Sequence, residues 1–167
     1  MLTGTTELAL RALILLGLRG GNEPVSPRRL ASTLGCSPTY LGKTLGHLVK
    51  SGILRSSRGA RGGVIIARDP AGITLLEIVE SCQGAILGDY CEGVASDEIA
   101  LSCRFHREMA QLHEHIVRDL GSCTLAELLA CPAPAFRKGK RVRSSCRMAL
   151  SDATSVTRSR TKAPKPR

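Results

Sequence analysis

A pair of Ser-Pro dipeptides constrains the fold of this chain more than any other feature. Serine is a favoured helix N-cap and proline is favoured at the first helical position, so Ser26-Pro27 and Ser37-Pro38 each predict the start of a helix. Because a Gly-Cys turn comes just before the second start, the first of these helices is short and ends near Leu34. The pattern predicts two helices joined by a tight turn.

The segments on either side complete the arrangement. An apolar helix is predicted to start near Thr5 or Thr6, either of which can be its N-cap, and to end at a Gly-Gly pair. Beyond the second Ser-Pro helix, Ile53-Leu54 and the β-branched run 64–67 predict two strands separated by the Gly-rich sequence SSRGARGG. Residues 1–70 are therefore predicted to form a winged helix-turn-helix domain in a mostly α-helical chain, with the β-hairpin as the wing.

A long amphipathic helix is predicted in the second half of the chain, from Asp97 to about Leu120, with Ser96 as its cap. Its apolar residues recur every three or four positions and form a narrow stripe typical of a coiled-coil seam. A helix of that length spans roughly 35 Å, more than so small a domain covers alone, so we expect a homodimer. Packing of the stripe within one chain is the alternative. The stripe consists of Phe105, Met109, Leu112, Ile116 and Leu120.

Two short helices and a tail complete the predicted organisation. Residues 71–96 are expected to form a linker helix and a cysteine-bearing loop, and residues 97–131 the dimerisation helix and a last short helix. From Pro132 the composition turns to Pro, Ser, Lys and Arg, which predicts a disordered basic tail over residues 132–167. The short helices are predicted from capping boxes, which pair Thr74 with Glu77 and Thr124 with Glu127.

The net charge of +10 is unevenly distributed. Residues 1–66 hold nine basic and two acidic residues, residues 67–134 hold four and eleven, and residues 135–167 hold eleven and one. Two basic regions favour a polyanionic partner, most simply double-stranded DNA. Charge alone is also compatible with a role in solubility only.

Cysteine usage and the absence of familiar motifs narrow the class of protein. The seven cysteines form an odd set, which argues against a closed disulfide framework and favours reduced thiols suited to a metal. The apolar run 8–18 contains Arg11 and is too short to cross a bilayer, and no secretory signal is recognisable. We expect a cytoplasmic protein without membrane contact. No Ser-His-Asp, HExxH or P-loop pattern is present, so neither enzymatic activity nor a small-molecule substrate is predicted.

One face of the third helix carries polar and basic side chains opposite a row of leucines. Such donors and acceptors suit base edges and phosphates in a major groove, and the N-terminus of the helix can bind a phosphate. A merely solvated polar face is the alternative. The predicted DNA contacts are Arg28, Ser37, Thr39, Tyr40, Lys43, Thr44 and His47.

The hairpin tip carries Arg58 and Arg61 among glycines. Glycine allows a tight turn and a close approach of the backbone, and arginine suits a narrow minor groove. A nucleotide-binding loop is the alternative, but neither the Walker spacing nor a GxGxxG sequence opening a helix is present to favour it. We therefore predict that both arginines contact DNA.

Four segments resemble the Rrf2 family of bacterial transcription regulators, which includes the IscR, NsrR and RirA types. They are TTELALRAL, SPTYLGKTLGHLVKSGIL, the wing SSRGARGGVIIARDP and ITLLEIVES. The resemblance extends over roughly residues 1–130 and implies a dimeric winged-helix protein with a long dimerisation helix. It also implies that Arg58 enters the minor groove, and that Ser37, Thr39 and Tyr40 contact DNA.

Many members of that family hold an iron–sulfur cluster on three evenly spaced cysteines before and at the start of the long helix. By resemblance, Cys91 and Cys103 occupy the outer two positions, and Asp97 stands at the middle one. His106 matches the histidine ligand of IscR-type members. Glu7 matches a carboxylate ligand that reaches the cluster of the partner subunit.

This donor set leaves several outcomes open. Cys103 and His106 lie on one helix face, and mixed sulfur, nitrogen and oxygen ligation suits a [2Fe-2S] cluster better than a [4Fe-4S] cluster. The same set can bind zinc, or no metal, as in cluster-free members of the family. We expect a dimeric transcription regulator that senses redox state, nitric oxide or iron–sulfur status. A cluster-free regulator controlled by a partner protein or small ligand, a zinc-binding regulator and a nucleic-acid-compacting protein are the alternatives.

Overall fold

The computed structural model describes residues 2–20, 23–59, 62–86 and 104–130. This part of the chain is mostly helical and contains one two-stranded antiparallel hairpin, which confirms the predicted fold class. The elements in chain order are α1 (Gly4–Leu18), α2 (Pro27–Leu34), α3 (Pro38–Lys50), β1 (Leu54–Ser57), β2 (Gly63–Ile66), a 3-10 turn (Pro70–Gly72), α4 (Leu75–Gln83), α5 (Arg104–Ser122) and α6 (Leu125–Ala130).

Both Ser-Pro dipeptides begin helices, so the predicted helix-turn-helix is confirmed. Ser26 caps α2 by accepting a 3.3 Å hydrogen bond from the backbone N–H of Arg29. Ser37 precedes α3 without making a side-chain cap hydrogen bond. In the turn between them, Gly35 has a φ angle of 65°, a left-handed conformation that glycine adopts at little cost.

The start of α1 differs from the prediction. Its N-cap is Thr3, whose Oγ1 accepts a 3.3 Å hydrogen bond from the backbone N–H of Thr6, so the prediction of Thr5 or Thr6 as the cap is wrong. All three threonines can cap a helix, and tertiary burial decides among them, because Thr6 is fully buried inside the first turn. Helix α1 is buried over most of its length and packs against α2, α3, α4 and α6.

The leucines of α3 turn inward, as their spacing predicts. Leu41, Leu45 and Leu48 are buried, and Val49 is half-buried at their margin. Burying one such side chain contributes about 1.5–3 kcal/mol. This row therefore fixes which face of α3 packs against the core and which face is left to solvent.

The wing is a hairpin anchored to the segment before α2. Strand β1 pairs with β2 from Leu54 to Ser57, so the first strand is longer than the predicted pair Ile53-Leu54 and starts one residue later. Backbone hydrogen bonds of 3.0 Å join Val25 and Val64 in both directions. Gly63 allows this close approach, because a Cβ there would lie 2.5 Å from the carbonyl oxygen of Val25.

The two predicted capping boxes form to different extents. At α4, Thr74 Oγ1 accepts a 3.2 Å hydrogen bond from the N–H of Glu77, but the carboxylate of Glu77 pairs with Arg68. At α6, Glu127 N–H donates to Thr124 Oγ1 at 3.3 Å, and Thr124 N–H donates to the Glu127 carboxylate at 2.7 Å. Both helices begin where predicted, and the second box is complete.

Backbone hydrogen bonds join the starts of α4 and α6. The N–H of Leu75 donates to the carbonyl of Cys123, and the N–H of Leu125 donates to the carbonyl of Ile73, both at 2.8 Å. Leu125 is fully buried, and α6 packs against α1. The end of the described chain is thereby attached to α1 and to the start of α4.

Helix α5 packs against α4 and exposes part of the predicted stripe. Phe105 is 59% exposed and Leu112 is 48% exposed, whereas the other three stripe residues are half-buried. The predicted start of this helix, at Ser96 and Asp97, lies outside the described residues. None of the described helices is long and apolar enough to cross a membrane.

Candidate nucleic-acid interface

The face of α3 opposite its buried leucines is polar and exposed. It carries Thr39, Tyr40, Lys43, His47 and Lys50, all of them exposed. Within the described ranges, neither lysine forms an ion pair. The positive charge of this face is therefore available to a polyanion.

Thr44 is not part of that face, so its predicted exposure is wrong and it offers no surface to DNA. Its side chain is fully buried, and its hydroxyl donates a 3.1 Å hydrogen bond to the carbonyl of Tyr40, one turn earlier. A threonine beside a leucine row can turn its methyl group inward and satisfy its hydroxyl on its own helix. Because the hydroxyl keeps this hydrogen bond, its burial costs little free energy.

Tyr40 makes a contact that the sequence does not signal. Its phenol oxygen lies 2.9 Å from Oγ1 of Thr5, at the start of α1. A Cβ at Gly4 would lie 3.7 Å from the phenol oxygen, in ordinary van der Waals contact, so the tyrosine packs beside the first turn of α1. Thr5 is thus a functional candidate that sequence reasoning missed, because no local pattern links residues so far apart in the chain.

Positive charge also surrounds the start of α2. Arg28 is exposed in its first turn. The pKa of Arg19, at the end of α1, lies below its ordinary value because partial burial disfavours its charge and Arg29 lies nearby. Ser37 is exposed at the positive end of α3, where an anion binds favourably. These residues extend the basic surface beyond the exposed face of α3.

The wing adds an arginine at its tip. Arg58 is exposed beside Gly59, whose φ angle of 110° requires glycine-like freedom. Below the tip, the hydroxyl of Ser57 accepts a 3.3 Å hydrogen bond from the N–H of Gly63. Arg61, the second predicted contact of the wing, lies outside the described residues.

Most of the predicted metal ligands also lie outside the described residues. These are Cys91, Asp97 and Cys103; the backbone of His106 lies in α5, but its side chain is outside the described part. Glu7 is half-buried in α1. In the part of the chain that the structure describes, no group of three or more His, Cys, Asp or Glu residues is arranged to hold a metal ion. The metal site therefore stays a prediction.

The described cysteines are poorly suited to metal binding. Cys36 and Cys82 pack against the core, and burial raises the pKa of both thiols above its ordinary value. For Cys36 the nearby Arg11 partly opposes this effect. Burial likewise raises the pKa of Cys123, with a further contribution from the charge of Glu127. A raised pKa reduces the thiolate fraction, which is the form that binds metals.

A helix-turn-helix with an exposed basic face, next to a hairpin with an arginine at its tip, defines a winged helix-turn-helix DNA-binding protein. The model of the Rrf2 family, described as an iron-dependent transcriptional regulator, matches residues 2–131. The chain belongs to the Rrf2 family of DNA-binding transcription regulators. This confirms the resemblance found in the sequence.

Named relatives agree with that assignment. The chain is 31% identical over 130 residues to the HTH-type transcriptional regulator NsrR of Geobacillus kaustophilus, which covers 77% of this chain and 88% of the relative. It is 29% identical over 132 residues to the HTH-type transcriptional repressor NsrR of Streptomyces coelicolor, covering 78% and 89%. Its fold resembles that of CymR, the global cysteine regulator of B. subtilis, with a TM-score of 0.63, 24% identity and coverage of 80% and 98%. These relatives are transcriptional regulators and not enzymes, as predicted.

Proposed function

We propose that this protein is a cytoplasmic, homodimeric, sequence-specific transcription regulator. In this proposal α3 enters a major groove of double-stranded DNA, and the wing enters an adjacent minor groove. The observation that carries it is the exposed polar face of α3, with Lys43 and His47, beside the exposed Arg58 of the wing. Phosphate contacts supply affinity and base-edge contacts supply specificity, and this surface offers donors for both.

The candidate contacts divide by position. Ser37 and Arg28, at the starts of α3 and α2, are placed for phosphates. The exposed side chains farther along α3 are placed for base edges: Thr39, Tyr40, Lys43 and His47. Arg58 is assigned to the minor groove by the resemblance, and the preference of arginine for narrow grooves assigns Arg61 there as well. Thr44 is left out because it is buried.

The exposed stripe of α5 supports the homodimer. Leu112 is 48% exposed and Phe105 is 59% exposed, so both leave apolar surface on α5. A second copy of the same helix would cover both stripes at once in a two-fold arrangement. Such a dimer would present two copies of α3 to successive half-sites on one side of the duplex.

We further propose that Cys91, Cys103 and His106 hold an iron–sulfur cluster with a carboxylate from Asp97 or Glu7. Two thiolates, an imidazole and a carboxylate fit a [2Fe-2S] cluster, and the description of the family as iron-dependent supports iron. When bound, the cluster would supply a centre that reacts to redox state or nitric oxide. The chain's own part is to hold the iron between the segment after α4 and helix α5.

A cluster-free regulator, controlled by a partner protein or small ligand, is the second candidate. The aspartate at position 97, where the resemblance leads us to expect a third cysteine, favours it. Zinc bound by the same donor set is a third, weaker candidate. Anaerobic purification with a visible spectrum and assays of iron, sulfide and zinc decides among them. A colourless, iron-free protein whose DNA affinity is unchanged in the Cys91→Ala/Cys103→Ala variant would eliminate the cluster.

DNA reading is tested by selecting duplexes from a randomised library with the purified chain and measuring affinities by gel shift. Arg58→Ala should weaken binding to the selected duplex about tenfold, as expected for loss of a groove contact. Arg107→Ala, which removes an exposed arginine from α5, is the matched control and should have little effect. Enrichment of no duplex, or equal losses in the two variants, would refute sequence-specific reading through the wing.

A further inference from the structure

We propose that the first turn of α1 (residues 3–6) connects the end of α4 to the DNA-reading face, with Thr5 as a positioning residue for Tyr40. Gln83, the last residue of α4, holds this turn in place. The inference rests on the proposed function, because Tyr40 is there a base-contacting residue. The inference adds Thr5 and Gln83, both half-buried, to the residues that determine DNA specificity.

The contact between α1 and α3 is the first step. Tyr40 is 43% exposed, so packing alone leaves its ring considerable freedom. Its phenol oxygen shares a 2.9 Å hydrogen bond with Thr5 Oγ1, in which either oxygen can donate. Thr5 is half-buried in a helix that forms the centre of the core. The bond therefore joins an exposed side chain to a helix of the core.

The contact between α1 and α4 is the second step. Gln83 Oε1 accepts two hydrogen bonds from α1, a 3.1 Å bond from the backbone N–H of Thr3 and a 2.9 Å bond from the hydroxyl of Thr6. The Thr6 hydroxyl also lies 3.0 Å from Thr3 Oγ1. Because Thr6 is fully buried, losing Gln83 would leave a buried hydroxyl with fewer partners, which is costly. Gln83 is thus a second cap for α1, supplied by another helix.

Gln83 lies at the end of α4, just before the segment that carries the predicted metal ligands. Gly84 ends α4 with a φ angle of 79°, and the chain then enters the segment that carries Cys91 and Cys103. A displacement at the start of that segment moves Gln83, and through it the turn of α1 on which Tyr40 is held. Two sets of hydrogen bonds, Gln83 to Thr3 and Thr6 and Thr5 to Tyr40, are joined by the covalent backbone of this turn and together connect α4 to the surface of α3.

A double-mutant cycle on the full chain tests the positioning role, using the duplex selected by the wild-type chain and an unrelated duplex of equal length. Thr5→Val should weaken binding to the selected duplex about fivefold, the value of one hydrogen bond. In the Tyr40→Phe background the same change should have no further effect, because the phenol hydroxyl is gone. Thr5→Ser keeps the hydroxyl and should bind like wild type. Binding to the unrelated duplex should not change in any variant.

The role of Gln83 is tested in the same cycle. Gln83→Met should weaken binding to the selected duplex in the wild-type background and not in the Tyr40→Phe background. Ser81→Ala, which removes a hydroxyl bonded within α4, is the matched control and should bind like wild type. Losses that are equal in both backgrounds, or that extend to the unrelated duplex, would overturn the link. The wild-type chain must first enrich a duplex in the selection. If it enriches none, the proposed function fails, and this result is distinct from a failure of the link through Gln83.

Discussion

Gly17 of α1 lies directly against Leu129 of α6. A Cβ built on Gly17 would fall 2.5 Å from Cδ1, 2.7 Å from Cδ2 and 3.1 Å from Cγ of Leu129. All three distances are shorter than van der Waals contact, so the Leu129 side chain would have to shift to admit a Cβ. Gly17 is therefore a point of close approach between α1 and α6.

We therefore expect Gly17→Ala to destabilise the chain. Alanine favours a helix over glycine by about 1 kcal/mol, but overpacking a buried contact costs roughly 1–3 kcal/mol. The expected net loss is about 1 kcal/mol, measured by urea denaturation. Adding Leu129→Ala should recover part of the packing strain. A stabilised Gly17→Ala variant would show that α6 does not pack on α1 this closely.

Gly42 and Gly46 of α3 should behave in the opposite way. A Cβ at either position meets no atom within 4 Å, so alanine should stabilise α3 by ~0.5–1 kcal/mol per site. Both residues lie on the side of α3 away from its buried leucines, where DNA is proposed to approach. We expect Gly46→Ala to raise the free energy of unfolding and to weaken binding to the selected duplex in gel shifts. Unchanged affinity would place DNA on another face.

Burial of Thr44 leads to a prediction about neighbouring threonines. Thr44→Val replaces a buried hydroxyl that is bonded only to its own helix, so stability should change by about 1 kcal/mol or less. DNA affinity should be unaffected. Thr39→Val is the matched change on the exposed face and should weaken binding to the selected duplex. If the two variants lost equal affinity, the assignment of faces on α3 would be incorrect.

The capping box of α6 makes stability depend on pH. Hydrogen bonds from the backbone N–H and the hydroxyl of Thr124 lower the pKa of Glu127 below its ordinary value. A carboxylate whose pKa is lower in the folded chain stabilises it at neutral pH, and this contribution is lost as the pH falls through the folded pKa. Wild type should have a higher Tm than Glu127→Gln at neutral pH, and the difference should vanish in acid. A difference that is independent of pH would contradict this origin.

A negative charge placed in the exposed stripe of α5 should disrupt the proposed dimer. Leu112→Glu places a carboxylate in the proposed dimer contact and should shift sedimentation from dimer to monomer. Gln111→Glu adds the same charge next to the stripe, at another exposed position of α5, and should leave the dimer intact. If the stripe packed only within one chain, Leu112→Glu would lower Tm without changing the mass.

The parts of the fold that the sequence predicts are those with local signals. The Ser-Pro helix starts, the turn at Gly35 and the buried leucines of α3 follow from rules that operate within a few residues. The exposed face of α3 that is proposed to read DNA is therefore largely predictable, since it is the side opposite the leucines. Burial of Thr44 is the exception, because a hydroxyl bonded to its own helix gives a polar residue the packing behaviour of an apolar one.

The contacts that hold this face depend on tertiary structure. Thr5 meets Tyr40, and Gln83 meets Thr3 and Thr6, across long stretches of chain with no periodic pattern between them. The choice of Thr3 as the cap of α1 has the same origin, because it follows from the burial of Thr6. Local propensity leaves the three threonines equivalent, and only packing distinguishes them.

The hydrogen bonds of Leu75 and Leu125 to Cys123 and Ile73 close the chain on itself. The chain from α4 to the end of α5 therefore leaves and returns to the same place. Its two ends are held together by these hydrogen bonds and not by the length of chain between them. Loop-closure entropy rises by only ~0.6 kcal/mol for each doubling of length. Insertions or deletions between residues 87 and 103 should therefore change the free energy of unfolding little, and we expect any effect of them on DNA binding to pass through Gln83.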